Sequence, residues 1–179
     1  MRHWKIFLPL VLLLCACGTR ETPAPAEGTA WGDIRWEERL GLSYAQHFAV
    51  DFSPEGYAKI VIDQETYLLT PEDCQIPAEL PEDVTVLRQP LENIYLQATS
   101  AMDCFRRLDA IGAVTLSGTQ AESWYIPEAR QAMEEGRMVY AGKYSAPDYE
   151  LIHARGCGLA LTSTMIYHNP EVKEQLERL

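Results

Sequence analysis

Basic residues are scarce in this chain: 15 lysines and arginines stand against 26 aspartates and glutamates in 179 residues, a formal net charge of −11 at pH 7. Neutralising phosphates takes a basic face, so nucleic acid is excluded as a partner, and the acidic excess reads most simply as solubility outside the cytoplasm. Cysteine is little used. Of the five present, Cys15 and Cys17 fall near the start, and Cys74, Cys104 and Cys157 are far apart with no C-x-x-C pair. That removes zinc-ribbon and redox motifs. Cys104 falls on the apolar side of a predicted helix and Cys157 just before a predicted strand, so both are expected as small buried hydrophobes. His47, His153 and His168 lack the close spacing of metal ligands, and neither a metal site nor a cofactor is expected. Ser117-Gly118-Thr119 is not a G-x-S-x-G nucleophile elbow and has no paired base. No apolar run approaches the ~20 residues that a ~30 Å bilayer core requires.

What is present at the start is a leader. Arg2 and Lys5 precede the apolar run Ile6 to Leu14, too short for a membrane span and the right length for a signal-peptide core. Its end, Leu14-Cys15-Ala16-Cys17, resembles a bacterial lipobox. The resemblance implies a signal peptide over residues 1–16, lipid attachment at Cys17, and anchorage on the extracytoplasmic face of the cell membrane. A diacylglycerol plus an N-acyl chain supplies the two membrane signals that stable anchoring needs. The plainer reading is an ordinary secretion signal with incidental cysteines. Losing Arg2 and Lys5 with the leader makes the net charge two units more negative than −11. Residues 17–35, beginning G-T-R-E-T-P-A-P-A-E-G-T-A after the cysteine, are small, polar and Pro-rich, a flexible tether.

Residues 36–92 are expected to form a small β-rich region. K-I-V-I-D-Q-E-T-Y-L-L-T predicts strands at 59–62 and 66–69 around an Asp63-Gln64 turn, and V-T-V-L at 84–87 is a further strand candidate. From Asn93 the pattern becomes strict alternation of strands and helices. Strands are predicted at 94–97, 113–117, 138–141 and 159–162. A helix opens at Thr99 or Ser100, where Ser100 and Asp103 make a capping box; others open at Pro127, Pro147 and Pro170, and Gly136 and Gly156 stop two of them. Such alternation implies an α/β fold with a parallel sheet and right-handed crossovers. The functional loops, 98–102, 118–124, 142–146 and 163–168, then share the carboxyl edge, where open α/β sheets place their ligands.

The run N-I-Y-L-Q-A-T-S-A-M-D-C-F-R-R-L-D-A-I-G-A-V-T-L-S-G-T, followed by V-Y-A-G-K-Y-S-A-P-D-Y-E-L-I-H-A-R-G-C-G-L-A-L-T-S-T, resembles the substrate-binding proteins of iron-siderophore and cobalamin ABC importers. The resemblance covers residues 93–179. It implies a Rossmann-like first lobe of a two-lobed periplasmic-binding fold, a metal chelate held in the cleft between lobes, and docking on an ABC permease. The pattern departs from the family at Gly156, Cys157 and Gly158, where Lys-Pro-Asp is usual. It also implies that the second lobe is absent here, so that the chain is a fragment or truncated copy, binding ligand weakly or not at all.

Carried onto this sequence, the resemblance makes Glu150 the carboxylate that pairs with permease arginines. An exposed carboxylate suits docking by steering and reversible pairing, and compensation of the helix dipole is the plainer role. Thr99, Ser100, Thr119, Trp124, Lys143, Tyr144, Met165, Tyr167 and His168 fall on the predicted edge loops as ligand contacts. Aromatics beside a cation suit an anionic or ring-bearing chelate, with surface or core packing as the alternative for each. The expected protein is non-catalytic; the alternatives are a surface-anchored hydrolase-like α/β enzyme and a lipoprotein interaction module.

Overall fold

The computed structural model describes residues 29–179. The leader, Cys17 and the first part of the tether lie outside the described residues. Two sheets organise the rest. The first has five strands in the order of the chain: β1 (Glu38–Arg39), β2 (Phe48–Phe52), β3 (Ala58–Ile62), β4 (Glu65–Thr70) and β5 (Val84–Arg88). The first four run antiparallel and β5 lies parallel to β4. The β3–β4 hairpin turns at Asp63 as expected, with Asp63 in the left-handed region at φ 51. One face of this sheet carries Leu68 and Val84 against Ile34, Tyr57, Trp31, Trp36 and Leu80.

The second sheet contains β6 (Ile94–Leu96), β7 (Val114–Ser117), β8 (Val139–Tyr140) and, after a two-stranded ribbon of β9 (Gly142–Lys143) and β10 (Ala146–Pro147), β11 (Leu159–Leu161). All its pairings are parallel and the order is β11-β6-β7-β8. The chain is therefore α/β, with a parallel sheet joined to a mixed one. Helices α1 (Met102–Arg107), α2 (Pro127–Glu134), α3 (Tyr149–Ala154) and α4 (Pro170–Glu177) alternate with its strands.

The strand order dictates where the helices go. Two steps move outward from β6 to β8 and one returns past β6 to β11, so crossovers of a single hand put the outward helices on one face and the return helix on the other. Two separate buried clusters show this. Met102 and Phe105 of α1 and Ala129, Ala132 and Met133 of α2 pack with Ile94, Leu96, Val114, Trp124 and Met138 on one face. Leu151 and Ile152 of α3 and Leu176 of α4 pack with Tyr95, Leu116 and Ala141 on the other. Leu91, in the connection from the first sheet, already belongs to the former cluster.

Three local expectations change, and one further irregularity comes with them. Ser100 and Asp103 form no capping box: neither the turn at Thr99 nor α1 has a side-chain cap, and Asp103 instead accepts from Arg106 at 2.6 Å and Arg107 at 2.8 Å. Two guanidiniums one turn away outcompete a backbone N–H for the carboxylate. Pro147 does not open α3 but ends β10. The helix starts at Tyr149, capped by the Asp148 carboxylate on the Leu151 N–H at 3.0 Å. Cys104 is exposed rather than buried, because in a helix of only six residues Met102 and Phe105 already supply the packed side. Finally, Val114 and Leu116 face opposite ways although two apart. Ile94 pairs with Val114 but Tyr95 pairs with Leu116, so Thr115 is an extra residue that turns the end of β7 over.

Candidate functional site

Hydrogen bonds beyond the strand ends bring four loops to one edge. The Gln97 N–H donates to the Leu161 carbonyl at 2.8 Å, the Gly118 N–H to Leu96 at 2.8 Å, and the Ala141 N–H to Ser117 at 2.9 Å. All three lie at the carboxyl ends of parallel strands. The sequence reverses direction between β6 and its neighbour β11, so the loops leaving these two adjacent strands turn to opposite faces of the sheet. In open parallel sheets such a switch point is the usual place for a ligand. Thr99 and Ser100 are exposed on the β6 side of it. On the β11 side Ser163 accepts from the Met165 N–H at 3.4 Å and starts a 3-10 turn, Thr164–His168. Ile166 is buried there, which leaves Met165, Tyr167 and His168 outward.

Next along the edge, the β9–β10 hairpin holds out Lys143 and Tyr144, both exposed. The turn depends on Gly142: its φ is +83, and a Cβ there would lie 2.3 Å from the Ala146 carbonyl oxygen. Thr119 is half-buried and points inward through its backbone, its N–H donating to Ser117 Oγ at 3.0 Å and its carbonyl accepting from that hydroxyl at 2.6 Å.

Trp124 corrects the sequence reading. It is 3% exposed, inside the cluster on the α1 and α2 face, and its indole Nε1 donates to Ser117 Oγ at 3.2 Å. The overturned end of β7 offers Ser117 to this face, and the indole is drawn in by it. The neighbouring Tyr125 is the aromatic left on the edge, 98% exposed. Tyr140, at the end of β8 and also exposed, was not singled out by the sequence. A strand-terminal tyrosine directly before a small residue and a glycine was the available signal. The same bonds settle Ser117 chemically: fully buried, it gives its hydrogen to Thr119 and accepts from Thr119 and Trp124.

Glu150 is exposed in the first turn of α3, and that turn begins at the carboxyl edge because α3 follows the hairpin. Thr99, Ser100, Lys143, Tyr144, Glu150, Met165, Tyr167 and His168 thus share one exposed edge with Tyr125 and Tyr140. The groove of about 320 Å³ lies at the other end of the sheet, lined by Arg106, Asp109, Gly112, Glu128 and Arg137, with Arg106 and Arg137 already paired to Asp103 and Glu135. Among the described residues no three His, Cys, Asp or Glu side chains group as metal ligands, and no helix is long and apolar enough to cross a membrane. A scan against protein-family models and searches of the curated proteins and the solved structures returned no match.

Proposed function

We propose that this chain is a Rossmann-like solute-binding lobe of an ABC importer, anchored through lipid on Cys17 at the outer face of the cell membrane. It contributes one wall of the site for an iron-siderophore, cobalamin or related metal chelate. The observation that carries this reading is the exposure of Tyr125, Tyr140, Tyr144, Met165 and Tyr167, together with Lys143, on strand ends and loops at the edge where a parallel sheet places its ligand. Leaving large rings in water is unfavourable, and a flat, ring-bearing solute removes that cost. Lys143 adds a cation suited to the negative charge of a ferric tris-catecholate, and Thr99, Ser100 and His168 add hydrogen-bonding groups at the rim.

Equilibrium dialysis of the protein against a ferric tris-catecholate, a ferric trihydroxamate and cobalamin tests the reading. A single wall is expected to retain one of them weakly and saturably, short of micromolar affinity, with retention reduced at least about tenfold in the Tyr125→Ala, Tyr144→Ala double variant, the loss of about 1.4 kcal/mol. Retention of none at concentrations up to about 1 mM, where even −4 kcal/mol of binding is visible, sinks it. For docking, Glu150→Ala in the complete two-lobed protein should weaken permease-coupled uptake while chelate retention stays unchanged. Equal loss of both removes Glu150 from that role.

A further inference from the structure

The hairpin that holds out Lys143 and Tyr144 is too small to stand alone. Its two strands are two residues each, and isolated ribbons even much longer than this are marginal in water. It is tied down from an unexpected direction. Tyr95, on the central strand β6, is fully buried and lies across Leu116 of β7 and Ala141 to donate its hydroxyl to the Gly142 carbonyl at 2.8 Å, 47 residues on. Ala141 is small enough to let the phenol pass.

Gln97 grips the same hydroxyl, its Nε2 donating to the Tyr95 oxygen at 2.9 Å. A phenol has one hydrogen, and it goes to Gly142. Gln97 must therefore present its NH2 end, and its own Oε1 is buried with no partner. Among the described residues the Tyr95 oxygen is thus the one hydrogen-bonding partner of the Gln97 side-chain amide, and Gly118 keeps it close, since a Cβ at that position would come within 3.2 Å of Gln97 Cγ. Burial pushes the Tyr95 phenol up to about 12, so it remains a donor throughout the neutral range.

We infer that Tyr95 and Gln97 are positioning residues for the ligand edge, a donor relay from the central strand that fixes hairpin 142–147 and thereby the angle at which Lys143 and Tyr144 meet the solute. The inference rests on the chelate-binding reading for its purpose and on the geometry alone for the clamp. Gln97 sits where β6 leaves the sheet at the switch point, so the relay ties the loop after β6 to the hairpin after β8 through one buried hydroxyl.

Hydrogen exchange of the segment 142–148 in the full chain tests the clamp without any ligand. Tyr95→Phe, which deletes the hydroxyl, is expected to speed exchange there about tenfold, the worth of one hydrogen bond to a buried carbonyl, while β7 is unchanged. Gln97→Glu keeps the size but replaces the donor by an acceptor, which draws the Tyr95 hydrogen away from Gly142, and is expected to act like Tyr95→Phe. Gln97→Met removes the grip but leaves Tyr95 free to donate, and is expected to change exchange by less than about threefold. A packing role predicts the reverse, with the same-sized Gln97→Glu silent. Hairpin exchange unchanged in both Tyr95→Phe and Gln97→Glu overturns the clamp. Should Tyr95→Phe unfold the chain, the two Gln97 variants decide alone. Dialysis against ferric tris-catecholate then tests its purpose: retention should fall with hairpin release, and unchanged retention with a released hairpin overturns the positioning role. Failure of the wild-type protein to retain any chelate ends the binding reading, and the exchange results still decide the clamp.

Discussion

The two sheets of this protein are stabilised differently. The parallel sheet is covered on both faces: Leu96, Met102 and Met138 are buried on one side and Tyr95, Leu116 and Ile152 on the other. The first sheet buries one face more deeply than the other. Pairing of Phe48 with Ile62 and of Phe52 with Ala58 puts these residues on a common face, and Phe48, Phe52 and Ile62 remain exposed there. On its packed face the small core of Ile34, Tyr57 and Leu68 is joined by a charge cluster, in which Asp51 accepts from Arg39 at 2.6 Å and Lys59 at 3.1 Å, with the Lys59 ammonium 4.8 Å from the Trp36 ring centre. This follows the general rule that parallel sheets are buried on both sides and antiparallel ones on one. A doubly covered sheet has apolar burial to spare, which leaves its edge loops free to expose tyrosines.

The sharpest way to break the comparison is to open each core. Leu116→Ala should destabilise by about 2–5 kcal/mol in urea denaturation, toward the upper end because its surroundings are fully packed, and Leu68→Ala toward the lower end. If Leu68→Ala costs as much as Leu116→Ala, the two sheets are equivalent and the contrast fails. Ser117→Ala should cost about 1–3 kcal/mol by leaving the buried Trp124 N–H without an acceptor, visible as a red shift and broadening of tryptophan emission.

Acid separates the sheets next. Arg39, with Lys59 behind it, holds the Asp51 carboxyl well below its ordinary range, at about 2. A depressed folded value means that Asp51 contributes stability above pH 4 and loses it as pH falls from about 4 toward about 2. Amide protection in β1 to β3 should therefore be lost before that of β6 and β7 on acidification, and Asp51→Asn should flatten this dependence. Loss of the parallel sheet first contradicts the assignment. The smallest effect belongs to the edge: Tyr125→Ala should leave stability within about 0.5 kcal/mol of wild type, since its ring touches so little, while lowering chelate retention.

Much of the architecture was legible. The β3–β4 hairpin and its Asp63 turn, the alternation after Asn93, and the stops at Gly136 (φ 73) and Gly156 (φ 61) all follow from period and turn chemistry, which are local. The gathering of loops at one edge was legible too, because parallel strands leave it no choice. Individual side chains were less so. Trp124 and Tyr125 are adjacent and chemically alike as sequence, yet one is core and the other is bare, because only one of them can reach Ser117.

By itself the sequence determined the β3–β4 hairpin, the alternation of strands and helices after Asn93, the acidic balance, and the set of loops at the carboxyl edge. The tertiary structure alone decided the strand order β11-β6-β7-β8 and the place of its switch point. It also decided the extra residue at Thr115 that turns Ser117 toward Trp124, and the reach of Tyr95 across the sheet to Gly142. Propensity and period act over a few neighbours along the chain. Register and strand order are settled by which faces can be buried together, and they bring Tyr95 and Gly142 into hydrogen-bonding range.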